Sequence, residues 1–354
     1  MRRGLMGWNA QELPIAALEA RLSRLRAEMD AAGLDAFVVY TNNVRPSAVH
    51  WITGFTPYWS DAVLLVPTTG APVFATALSK RVSEWIRTID PVSEIVNTPK
   101  PGALIGARLA ADSTVRRVGV LEYDMLPAGL ADDLAAAAPA IEWIDGTALF
   151  AALRRVPDAA ERGLLARADA IAVAALREAD AAKATDAGTL AGAIEKRARL
   201  DAAEEAYVAL APDLDRDRRL NRTSQPTPHA ARFAVRASVA YKGCWVRRIR
   251  TLAADGGAAK AAGWFAGLLG AIEPGKPLAE QIAARVKDLP GAGLTGWMAE
   301  SCTGSYPLSL LASSRMPGPD TLADGQFAVL TIELALDGRP WIGAAPLVVG
   351  APAL

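Results

Sequence analysis

Two arginines on one short stretch, Arg236 and Arg247, carry the clearest chemical signal in this chain. The segment from Val235 to Thr251 alternates apolar and polar residues around Lys242-Gly243, the pattern of a β-hairpin closed by a two-residue turn. Such a turn sets Arg236 opposite Ile249 and Arg247 opposite Ser238. The two guanidinium groups then share a face, diagonal to each other and about 7–8 Å apart at Cβ. A pair of arginine forks suits a carboxylate or a phosphate, which each fork can grip through two N–H groups. The same pair also suits an internal Arg–Glu–Arg network, which stabilises little once desolvation is counted. Both readings stand on the sequence.

The other reactive residues are few. There are two histidines, His50 and His229, and two cysteines, Cys244 and Cys302. The cysteines have neither disulfide-framework nor metal-type spacing and read as small buried thiols. Ser301 and Cys302 have no nearby base, which weakens a nucleophile reading. Asp213 to Arg222 is a mixed charge run, the usual mark of a solvated loop.

Elements of two kinds must position these groups. Leu18, Leu22, Leu25 and Met29 recur at helical spacing from Pro14 to Ala32, and Gly33 stops that helix. Strands read at 35–40, 61–66, 72–75, 118–122 and 141–144, with helices at 79–88 and 128–138. That alternation predicts an α/β domain. A boundary falls near Arg154 to Asp158, where Pro157 and the acids after it start a new helix. Helices read at 158–182, 189–203, 258–272 and 278–287, with the hairpin between them and strands at 327–336 and 341–349. The expected division is 1–155 and 156–354, the second part an α+β domain with a curved antiparallel sheet covered by helices.

A chain of 354 residues with 51% hydrophobic and 21% charged residues is long enough for two such domains. With 38 basic and 38 acidic side chains the formal net charge is zero. That argues against nucleic acid or an anionic membrane as the main partner. No apolar run reaches the roughly eighteen residues of a membrane span. The two arginines of Met1-Arg2-Arg3 lack an apolar stretch behind them, so no signal peptide is expected, and the cysteine usage fits a cytoplasmic setting.

The hairpin resembles that of the creatinase, prolidase and aminopeptidase P family, whose metal-dependent members carry two aspartates in a V-D-x-G-x-x-Y-x-G-Y-x-x-D-I-T-R-T pattern. Val235, Tyr241, Gly243, Arg250 and Thr251 fall on family positions, and both aspartate positions hold arginine. Further similarity lies in Arg21-Leu22 to Ala36, in Asn43 with Trp51-Ile52-Thr53-Gly54-Phe55, in Arg155-Val156-Pro157-Asp158, and in Thr189-Leu190-Ala191-Gly192-Ala193-Ile194-Glu195. The resemblance implies a creatinase-like first domain, a pita-bread second domain and a homodimer.

It also implies where a dinuclear metal site would stand. The family uses two Asp, one His and two Glu, the oxygen and nitrogen donors that hard cations require. Here Arg236 and Arg247 replace the aspartates, and Ser301 of Glu300-Ser301-Cys302-Thr303-Gly304 falls at the histidine. Glu333 of Val329-Leu330-Thr331-Ile332-Glu333 keeps one glutamate, and Gly343-Ala344-Ala345 replaces the other. A guanidinium cannot ligate a cation, so no metal cofactor is expected. Creatinase lacks the metal and acts on a C–N bond of a small zwitterion. By that likeness the expected function is a metal-independent hydrolase of a small carboxylate- or phosphate-bearing molecule. Arg236 and Arg247 would orient the anion, with Glu333 and His229 (the latter in Pro228-His229, similar to an x-P-H loop) as catalytic groups. Tyr241, Ser301, Arg45 and His50 are further substrate-contacting candidates. A non-catalytic protein that holds an anion or a partner is the alternative, and an Xaa-Pro metallopeptidase is a third.

Overall fold

The computed structural model describes residues 7–56, 60–181, 186–223, 225–301, 303–305 and 320–351. They form two compact units. One holds the chain up to Arg154 together with residues 303–305; the other holds Arg155–Ser301 and the closing strands.

The first unit runs α1 (Ile15–Ala31), β1 (Ala36–Thr41), α2 (Ser47–Thr53), β2 (Ala62–Pro67), β3 (Val73–Thr76), α3 (Ser83–Arg87), β4 (Glu94–Asn97), α4 (Pro101–Ala111), β5 (Arg117–Val120), α5 (Ala128–Ala137), β6 (Glu142–Asp145) and α6 (Thr147–Arg154). Its mixed sheet has the order β4-β3-β2-β1-β5-β6. All six residues of β1 are buried, because alternate side chains enter two different cores. Phe37 and Val39 join Leu22, Leu25, Trp51 and Phe150, while Val38 and Tyr40 join Ile105, Leu109 and Leu134. A strand covered on both sides reads as a continuous apolar run, the pattern that predicted it. The sequence reading omitted α2, β4, α4 and α6. In α4, Gly106 lies against α5, where a Cβ would come within 2.7 Å of Ala137; that glycine lowers helix propensity and permits the close approach.

The second unit runs α7 (Ala159–Leu176), α8 (Glu178–Ala181), α9 (Ala187–Leu200), β7 (Glu205–Ala211), β8 (Arg232–Tyr241), β9 (Cys244–Ala253), α10 (Gly256–Gly270), α11 (Leu278–Val286), β10 (Ala292–Glu300), β11 (Phe327–Leu336) and β12 (Arg339–Val348). Asp158 caps α7 by accepting from the Glu161 amide, and Asp186 caps α9 by accepting from the Thr189 amide, which satisfies otherwise unpaired first-turn donors. The strands form one antiparallel sheet in the order β10-β11-β12-β9-β8-β7.

Two hairpins set its register. Lys242 and Gly243 both have positive φ, as do Asp337 and Gly338, the requirement of a type I′ two-residue turn. Thr251 joins the hairpins: its hydroxyl donates to the Ile342 carbonyl at 2.8 Å and accepts from the Ile342 amide at 2.9 Å. One face of the sheet is covered by helices. Arg248 reaches Asp169 of α7, and Ala328, Leu330, Ile332 and Leu334 pack with α10 and α11. The alternate residues face the other way.

Candidate functional site

The face turned away from the helices carries the arginines. Arg236 pairs with Ile249 and Arg247 with Ser238, the register read from the sequence. Ile249 pairs in turn with Ala344 of β12, Ala344 with Thr331 of β11, and Thr331 with Met298 of β10. Period-two alternation therefore places Arg236, Ile249, Ala344, Thr331 and Met298 on one rung of one face. Ser238, Arg247 and Glu300 lie one pair further along it.

Arg247 is buried, and its Nη1 donates to Glu300 Oε2 at 2.5 Å, with both side chains nearly inaccessible. Its Nε donates to Ser238 Oγ at 3.3 Å. Arg236 makes no ion pair among the described residues, and its Nε is buried without a hydrogen-bond partner. Glu300 Oε1 and Thr331 Oγ1 are in the same condition. Burial pushes the Arg236 guanidinium down to about 10; the neighbouring Arg247 charge pushes the same way, and Glu300 opposes. Burial also raises Glu300, while Arg247 and then Arg236 pull it back. Arg236 is thus a half-buried cation whose neighbourhood disfavours its charge.

The sequence-predicted residues scatter around this cluster. Glu333 stands two positions past Thr331, hence on the same face, and its carboxylate leans over Gly296, where a Cβ would sit 3.7 Å from Oε2. It is not the anion that Arg247 meets; that is Glu300. Ser301 lies just past β10, and its hydroxyl donates to the Phe327 carbonyl at 3.0 Å, so the preceding residue takes the inward position. Tyr241 alternates to the helix-covered face, with Arg167 of α7 over its ring at 5.8 Å. His229 packs against Phe233 with centroids 4.4 Å apart and the rings tilted by 37°. Phe233 alternates away from Arg236, so His229 is not brought to the arginines. In the charge run, Asp217 pairs with Arg219 and Asp215 with Arg339. Cys244 is buried, and Cys302 lies outside the described residues.

In the first unit, Arg45 pairs with Glu122 at 2.6 Å and donates to the Met125 carbonyl at 2.7 Å. Glu122 also accepts from the Ser305 amide at 2.9 Å. His50 meets Thr56 Oγ1 at 3.0 Å through Nδ1. Both candidates are buried and engaged in holding their own unit together.

Glu300 and Thr331 are the residues that sequence reasoning missed. Glu300 ends a strand rich in glycine, Ala292 to Glu300, which hides its β pattern. Counting back in twos from its last residue was the available signal.

A pair of divalent cations does not fit the residues present. Arg236 and Arg247 offer only N–H groups, and Ala344 offers no donor on the strand facing them. Among the described residues no three His, Cys, Asp or Glu side chains come together as a metal-binding group. No described helix is long and apolar enough to cross a membrane.

Known proteins share this architecture. Residues 21–156 match the Creatinase/Prolidase N-terminal domain. Over nearly its full length the chain has the fold of solved prolidases. It is similar to an Xaa-Pro dipeptidase from Bacillus anthracis, at 16% identity and TM-score 0.70 over 95% of this chain and 99% of that one. It is similar to the prolidase from Pyrococcus horikoshii OT3, at 13% and 0.68 over 93% and 95%. The N-terminal domain of FACT complex subunit SPT16 from Cicer arietinum (chickpea) shares it too, at 15% and 0.62 over 94% of each. No curated protein matches the sequence.

Proposed function

We propose that this protein is a metal-independent hydrolase of a C–N bond in a small molecule bearing a carboxylate or phosphate. The observation that carries the reading is Arg236, a half-buried cation without an ion-pair partner among the described residues, on the face where the family resemblance places metal ligands. Arg236 binds the anion, and Arg247, fixed by Glu300, adds positive potential beside it. Glu333, on the same face, takes a proton from water as the oxygen attacks the carbonyl carbon. The same proton then goes to the leaving nitrogen as the C–N bond breaks, so that one water is consumed and an acid and an amine are released. His229 has no part in this scheme.

Release of amine from small carboxylated amides and ureas, assayed with EDTA present, tests the proposal. Turnover that survives EDTA, falls at least about a hundredfold in Glu333→Gln and shows a raised KM in Arg236→Met supports it. Stoichiometric manganese, zinc or cobalt in the active protein, or full activity in Arg236→Met, overturns it. A second reading, a protein that holds an anion or a partner without chemistry, draws on the likeness to SPT16, which is described as part of a complex and not by a reaction. Anion binding without turnover of any such substrate would favour it.

A further inference from the structure

The polar atoms around Arg236 define more than a negative charge. Arg247 and Glu300, of opposite sign, are the charges that act on Arg236, so the Arg236 cation is the one an anionic ligand would meet. Glu300 is about nine-tenths buried and gives one oxygen to Arg247, while its other oxygen has no hydrogen-bond partner among the described residues. A buried carboxylate oxygen left unpaired costs on the order of 1–3 kcal/mol or more. An anion carrying only acceptors would satisfy Arg236 but set its own oxygens against Glu300. Thr331, equally buried, has an unpartnered hydroxyl one pair away from Glu300 in the register of β10 on β11. A hydroxyl there can donate to a carbonyl.

Resting on the anion-binding reading above, we infer that the ligand is a monocarboxylate whose neighbouring atom carries a hydrogen-bond donor, an N-acylated amino acid with a free amide N–H. The carboxylate meets Arg236, the N–H donates to Glu300 Oε1, and the acyl carbonyl accepts from Thr331 Oγ1. Each orphaned group then has the partner its chemistry needs. A prolyl amide, which has no N–H, leaves Glu300 unpaired and is discriminated against, since a site built for a donor rejects the analogue lacking it.

Calorimetric titration of the full chain with N-acetylglycine, N-acetylsarcosine and acetate tests this. The first two have the same charge and differ by a methyl group in place of the amide hydrogen. N-acetylglycine should bind at least about tenfold more tightly than N-acetylsarcosine, the effect of one hydrogen bond to a charged acceptor, and Arg236→Met should lose all three. Equal affinities that still depend on Arg236 overturn the donor inference and leave the anion site standing. Affinities unchanged in Arg236→Met, or no binding of any probe to the wild type, overturn the anion site and the inference with it.

Discussion

The two sheets of this protein use their faces in opposite ways. In the first unit β1 is buried throughout and feeds apolar side chains into cores on both sides. In the second unit helices cover one face, and the other carries Arg236, Arg247, Glu300, Thr331 and Glu333. The first sheet stabilises by burial, which is non-directional. The second holds charges out of water, which is costly unless each is paired. That contrast underlies the proposal that the first sheet is scaffold and one face of the second is the recognition surface.

Removing one buried side chain from each sheet should separate these roles. Phe37→Ala opens a cavity in the first core and should cost about 3–5 kcal/mol in urea unfolding without changing anion affinity. Glu300→Ala should cost a similar amount, about 3–5 kcal/mol, because it strands the buried Arg247 charge. Replacing both partners, Glu300→Leu with Arg247→Met, should recover most of that loss while abolishing binding. A double variant no more stable than the single one would remove the ion pair from the account.

A comparable effect comes from a buried carboxyl in the first unit. Asp90 is buried, accepts from the Val92 and Ser93 amides, and is pushed up to about 7 by burial. The folded state then keeps a proton that the unfolded chain releases near pH 4. Stability should be greatest below about pH 4, fall as pH rises to about 7, and be flat above that as far as this group is concerned. Asp90→Asn should flatten the profile between those limits, and an unchanged slope would assign it to another group.

The smallest stability change should come from the residue most important for binding. Arg236→Met removes a half-buried cation without an ion-pair partner and should alter the unfolding free energy by no more than about 1 kcal/mol, toward greater stability.

The scaffold was more legible in the sequence than the site. The apolar run at 35–40, the leucine spacing of α1 and the Lys242-Gly243 turn each declare their element locally, and the turn alone set Arg236 against Ile249 and Arg247 against Ser238. The partner of Arg247 could not be read the same way. It comes from β10, whose Gly293 and Gly296 mask the strand and so hide which of Glu300 and Ser301 points inward. His229 and Tyr241 looked reactive by type and neighbourhood, yet strand parity turns Tyr241, and the Phe233 that His229 packs against, toward the helix side. Arg45 reads from the sequence as a substrate-contacting group, and a carboxylate far along the chain, Glu122, holds it inside its own unit.

Acetate binding at low ionic strength, measured on wild-type protein and on Arg236→Met with unfolding free energies taken in parallel, tests the central claim most directly. The account predicts binding to the wild type that weakens at least about tenfold in the variant, as for a lost charge-assisted hydrogen bond, while stability is kept or gained. Equal binding in the two proteins, or stoichiometric manganese in place of acetate, would contradict it.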